Sequence, residues 1–104
     1  PEGSLTEARL SGDGDDPLRK TVTATIKRLV EEDPLITRPH RIRIHTQPLY
    51  GPSLSFHCEV APNLSVREVH AVTLRLERAL RDLFPVLGRI TIHMDPQGAS
   101  QQPE

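Results

Sequence analysis

Apolar and polar positions alternate in three short stretches of the chain and recur at helical spacing in two longer ones. Ile90, Ile92 and Met94 alternate with Arg89, Thr91, His93 and Asp95, the period-two pattern of a half-buried strand. Residues two apart in a strand project to the same side, so His93 and Asp95 stand together on the face opposite the aliphatic one. Pro96, which lacks a donor for the ladder, ends this strand. Residues 39–46 alternate in the same way. Ile42 and Ile44 face one side with His40 in parity with them, and Arg41, Arg43 and His45 face the other. In 53–60, Leu54, Phe56, Cys58 and Val60 point inward while Ser55, His57 and Glu59 point outward. The Pro and Gly content of 47–52 predicts the turn that joins these two strands into a hairpin.

Two helices complete the pattern. Asp16-Pro17 is a start signal, with Asp as N-cap and Pro at the first helical position. Leu18, Val22, Ile26, Leu29 and Val30 then form one stripe, and Pro34 ends the helix by Asp33 because it disfavours helical backbone at the preceding residue. Ser65-Val66-Arg67-Glu68 is a capping box that opens a second helix over roughly 66–84. Val69, Val72, Leu76, Ala79, Leu80 and Leu83 form its buried stripe, and His70 lies beside it on a flank shared with Leu74. Pro85 and Gly88 mark its end.

The order is therefore α-β-β-α-β. The second and third strands, joined through a helix, are expected to be parallel, adjacent and right-handed in connection, with the first strand antiparallel to the second. Both helices cover the aliphatic face and leave the other open. This is an α+β fold, a truncated ferredoxin-like two-layer sandwich with a three-stranded mixed sheet. Residues 1–16 read as a polar, acidic linker or tail, 17–96 as the folded domain, and 97–104 as a second polar tail.

Composition narrows the function. At 104 residues the chain holds one modest core, and with no Trp and few aromatics that core is aliphatic. Residues 1–16 carry five acids against Arg9, whereas 17–96 carry twelve Lys and Arg against eight Asp and Glu. The positive excess is spread over two helices and a strand with no aromatics among it, which argues against a nucleic-acid surface. The lone Cys58 rules out an internal disulfide framework and fits a reducing compartment. No apolar run reaches membrane-spanning length and no signal peptide is visible, so these residues do not insert into a membrane.

The candidate chemistry is metal binding. His57, His93 and Asp95 fall on the uncovered face of neighbouring strands, and imidazole nitrogen with carboxylate oxygen is a ligand set that zinc and similar divalent ions accept. The rival reading is a set of ordinary polar residues on a solvated sheet face. By pattern alone His40 could cap a strand start and His70 could be a half-buried flank residue. His45 reads as solvated, Cys58 as a small core residue, and Arg41 and Arg43 as either solvating the open face or pairing with Glu59. No nucleophile elbow, phosphate-cradling glycine loop or Cys-x-x-Cys pair is present. A sandwich of this size offers little substrate cleft, so the chain does not read as an enzyme.

A histidine opening the first strand (PHRIRI), one in the second (SFHCEV), one in the first turns of a capped helix (LSVREVHAV) and a closing IHMDP together resemble the cytoplasmic C-terminal domain of cation diffusion facilitator transporters, over about residues 18–96. The resemblance implies a metallochaperone-like fold following six transmembrane helices, a homodimer in the cytoplasm, and a histidine cluster bridged by an aspartate. Position by position it implies His40, His57, His70, His93 and Asp95 as ligands. The metal it implies is zinc, with Cd2+, Co2+, Ni2+, Mn2+ and Fe2+ as alternatives. The implied function is a regulatory, dimerising domain of a divalent-cation efflux transporter, with the protein's own transmembrane domain as a partner. The alternative is a free-standing metal-buffering or small-molecule-sensing module. Two features depart from the family: Arg41 stands where an acidic residue often follows the first histidine, and the turn QPLYGP is long and proline-rich.

Overall fold

The computed structural model describes residues 16–46, 49 and 51–98. Residues 1–15, 99–104 and the turn residues Gln47, Pro48 and Tyr50, on which the linker, tail and part of the hairpin expectations fall, lie outside them. The elements run α1 (Pro17–Glu31), β1 (Ile36–His45), β2 (Ser53–Val60), α2 (Val66–Leu83) and β3 (Ile90–Pro96). The sheet order is β1-β2-β3, with β1 antiparallel and β3 parallel to β2, as the pattern predicts.

The helix ends follow from local chemistry. The Asp16 carboxylate accepts the Leu18 N–H at 3.0 Å and Pro17 occupies the first turn. Ser65 and Glu68 form both bonds of the capping box, at 3.1 and 2.8 Å. α1 stops at Glu31, two residues before Asp33. Asp33 instead turns its carboxylate to the Leu35 N–H and the Arg75 guanidinium, tying the end of α1 to α2. Burial of Asp33 opposes ionisation, but these two hydrogen bonds outweigh it and hold the carboxyl below its ordinary range.

One aliphatic core lies between the helices and the sheet. Val22, Ile26 and Val30 of α1 and Val72, Leu76 and Leu80 of α2 pack with Leu54, Phe56, Cys58 and Val60 of β2 and Ile90 of β3. Burying each large side chain contributes about 1.5–3 kcal/mol, so the fold does not depend on the open face. Leu83, expected in the α2 stripe, is instead 51% exposed at the last position of the helix. Cys58 sits in this core, where burial, and secondarily the nearby Asp95 charge, pushes its thiol up to about 12. Such a thiol stays protonated, the inert form.

β1 departs most from its expected form. It begins at Ile36, opposite Val60, rather than at Pro39. The pairs run Thr37 with Glu59, His40 with His57 and Arg43 with Ser55, so three steps along β1 twice match two along β2. Each mismatch is a bulge, and each contains an arginine in the left-handed region, Arg38 at φ 55° and Arg41 at φ 52°. Paired residues of neighbouring strands share a face. His40, opposite His57, therefore points to the open side and not with Ile42 and Ile44, correcting the parity reading.

Candidate metal centre

The open face carries the site. β2 and β3 run in register, so His57 lies beside His93 and Glu59 beside Asp95, a direct result of their period-two pattern. The His57 and His93 rings stack with centroids 4.5 Å apart and planes 19° from parallel. His57 Nδ1 lies 3.1 Å from Asp95 Oδ2. On the other side of His57 the His40 ring stands at 5.4 Å, delivered there by the paired bulges of β1.

His40, His57 and Asp95 each offer a ligand atom, and all three atoms lie within 4.8 Å of one another, the one such group among the described residues. Ligands bound tetrahedrally at about 2 Å sit roughly 3.3 Å apart, so small side-chain rotations bring this set to bonding geometry. Two neutral donors and one anion suit a divalent ion. The His40 Nδ1 lies 2.7 Å from the Arg38 carbonyl. With Nδ1 donating there, Nε2 keeps its lone pair for a ligand, as in orienting contacts of metal-bound histidines.

Of the five residues expected as ligands, the structure gathers His40, His57 and Asp95 into one cluster. It places His93 beside that cluster, stacked on His57 but outside the three-atom group. His70 is exposed on α2, in the helical layer, with no ring contact, hydrogen bond or ion pair among the described residues. His45 is likewise exposed. A cleft of about 550 Å³, lined by Lys27, Asp33 and Arg38 among others, contains no histidine, so the cluster lies outside it.

Sequence patterning placed Glu59 outward with Arg41 or Arg43 as a possible partner, and missed its burial and its pairing with Arg38. Glu59 belongs to the open face by register but is 1% exposed. Its Oε2 lies 3.2 Å from Arg38 Nε, and its Oε1 accepts the Gly98 N–H at 3.2 Å. The ion pair thus uses Arg38 rather than Arg41 or Arg43, and Gln97 and Gly98, assigned to the tail, are tied to β2: the Gln97 N–H donates to the Val60 carbonyl at 3.1 Å and the Gly98 N–H to the Glu59 side chain. Pro39 was the available signal, since a proline inside a strand marks an edge or a bulge.

The model for the cytoplasmic domain of cation efflux proteins matches residues 18–97. The chain belongs to this family. It is a cytoplasmic domain of a cation efflux transporter, and among the described residues no helix is long and apolar enough to cross a membrane. The fold is similar to that of the metal-bound C-terminal domain of the CzcD transporter from Thermotoga maritima, which is 23% identical with a TM-score of 0.69, over 79% of this chain and 94% of that one. The cytosolic domain of a cation diffusion facilitator family protein is also 23% identical, with a TM-score of 0.65 over 78% and 90% of the two chains. The Zn form of CzrB, described as a zinc transporter, is 25% identical with a TM-score of 0.71, over 89% of this chain and 97% of that one. Comparison with curated proteins gave no match. As a cation efflux domain, the chain is part of a transporter family rather than of a known enzyme family.

Proposed function

We propose that this domain binds zinc on its open sheet face and uses that binding to bring two copies together, regulating the transmembrane part of the same transporter. The observation that carries the reading is the convergence of His40, His57 and Asp95 from three strands within 4.8 Å, two of the strands regular and one doubly bulged. These three hold one ion. His93, stacked on His57, lies where it can join a second ion, with Asp95 as the bridging anion. His70, exposed in the helical layer and outside the cluster of its own chain, is supplied to such a site by a second copy. This links metal binding to a two-fold assembly, the commonest closed arrangement. The zinc assignment rests on the nitrogen-rich, borderline donor set and on the similarity to a Zn-form structure.

Zinc calorimetry on the parent, Asp95→Ala, His93→Ala and His45→Ala tests the site. Asp95→Ala, lacking the one anion of the set, loses most binding, and His93→Ala weakens it or reduces its stoichiometry. His45→Ala binds like the parent. Parent-like binding by both Asp95→Ala and His93→Ala contradicts the site. Sedimentation with and without zinc tests the assembly, and monomers alone at high concentration in both conditions contradict it. Protons compete with metal for imidazole, so affinity falls as the solution is acidified.

A further inference from the structure

Beside the cluster, Arg41, Arg43, Ser55, His57 and His93 line a hollow of about 220 Å³. We propose that this hollow binds a small tetrahedral oxyanion, a phosphate group, next to the metal site. No carboxylate lines it. Among the described residues neither arginine side chain has an ion pair or hydrogen bond, and the nearby Asp95 carboxylate is turned to His57. Two arginines thus line one concavity with their side-chain charge unmatched by the described residues.

The chemistry of the lining favours an oxyanion. A guanidinium presents a planar fork of donors that matches phosphate oxygens, and the Ser55 hydroxyl, directly opposite Arg43 in the ladder, adds a further donor. Arg41 stands at φ 52°, where a residue with a side chain is strained by roughly 1–2 kcal/mol relative to glycine. Side chains kept at such positions cluster at binding sites, and here the strained bulge presents Arg41 to the hollow. The hollow also shares His57 with the metal cluster. A dication held by His40, His57 and Asp95 adds to the positive charge of the arginines, and an oxyanion in the hollow relieves that repulsion. Anion and metal therefore strengthen each other's binding, by the same factor in either direction. The metal coupling rests on the proposed metal site, whereas anion binding by the metal-free chain does not.

The test has three arms. Inorganic sulfate, chosen as a tetrahedral probe that leaves cobalt in solution, is titrated at constant ionic strength into the metal-free chain and followed through amide resonances. Saturable shifts confined to Arg41, Arg43, Ser55 and their strand neighbours are expected, weakened about tenfold or more in Arg41→Gln/Arg43→Gln. In the second arm Co2+ affinity is measured with and without sulfate. The parent binds cobalt more tightly in sulfate, while the double variant is indifferent to sulfate and, without it, exceeds the parent. Vesicles of phosphatidylglycerol against phosphatidylcholine form the third arm. Binding to the former that is lost in the double variant identifies a lipid headgroup as the source of the phosphate, and absence of vesicle binding with saturable sulfate shifts identifies a free anion. Arg43→Gln alone, at a position with ordinary backbone, gives the same comparison should the double variant not fold. Non-saturating shifts scattered over the surface together with no vesicle binding overturn the proposal. So do shifts or vesicle binding that persist in the variant. Anion binding without sulfate-dependent cobalt affinity overturns the coupling alone.

Discussion

β3 and β1 flank the same central strand and supply the same kind of side chain to the same face, yet by opposite means. β3 pairs with β2 without a break from Ile90 to Pro96, and its alternation alone places His93 and Asp95 outward. β1 carries two register shifts, one on each side of His40, and these reverse the side that simple alternation assigns to that residue. A regular strand positions a ligand through its periodicity. A bulged strand positions it through local backbone strain, here at two arginines in the left-handed region. That strain must be held by contacts elsewhere, and Arg38 has one in the buried carboxylate of Glu59.

The largest expected difference lies on the regular side. Asp95→Ala reduces zinc affinity by more than the roughly 100-fold that changes outside the ligand shell produce. It leaves the metal-free melting temperature close to that of the parent, because the core lies on the opposite face. Calorimetry with a parallel thermal melt measures both. A large loss of metal-free stability would show that the two faces are not independent.

The bulges give the next effects, of opposite sign. Arg38→Gly relieves a left-handed residue but takes the guanidinium from Glu59. The arginine is half exposed and solvent screens the pair, so a net destabilisation of roughly 1–2 kcal/mol is expected in urea unfolding. Arg41→Gly removes the same strain without loss of an ion pair among the described residues, and is expected to stabilise by up to about 1 kcal/mol. Equal effects from the two substitutions would mean that the strain at Arg38 is not tied to Glu59.

The smallest effect belongs to the helical layer. The carboxyl of Asp33 is held below its ordinary range by Arg75 and the Leu35 N–H, against its burial. A depressed carboxyl pKa stabilises the fold above the unfolded-state value near 3.9 and loses that contribution as pH falls through the lower folded value. Asp33→Asn is therefore less stable than the parent at neutral pH, and the two converge under acid. A difference that persists unchanged to low pH would assign the effect to packing rather than charge.

The legible parts of the molecule were those where one period governs a whole element. The stripe of Val22, Ile26 and Val30, the capping box at Ser65, and the outward positions of His57, His93 and Asp95 follow from spacing alone. His40 did not, because its orientation depends on two extra residues in β1 whose side chains give no hint of left-handed backbone. Glycine would have marked such bulges, and arginine does not. Glu59 looked like a solvated strand residue because the arginine that covers it reaches across from a bulge. His70 belongs to the expected ligand set only by family resemblance, and the structure of one chain leaves it apart from the others.

The central claim is that a doubly bulged edge strand carries His40 to the same ion as His57 and Asp95. The imidazole nitrogen resonances of 15N-labelled protein, followed through a zinc titration, test it most directly. Nε2 of His40 and one ring nitrogen of His57 are expected to shift together with the first equivalent of metal, while His45 stays fixed. A His40 ring that remains unmoved while His57 and His93 respond would contradict it.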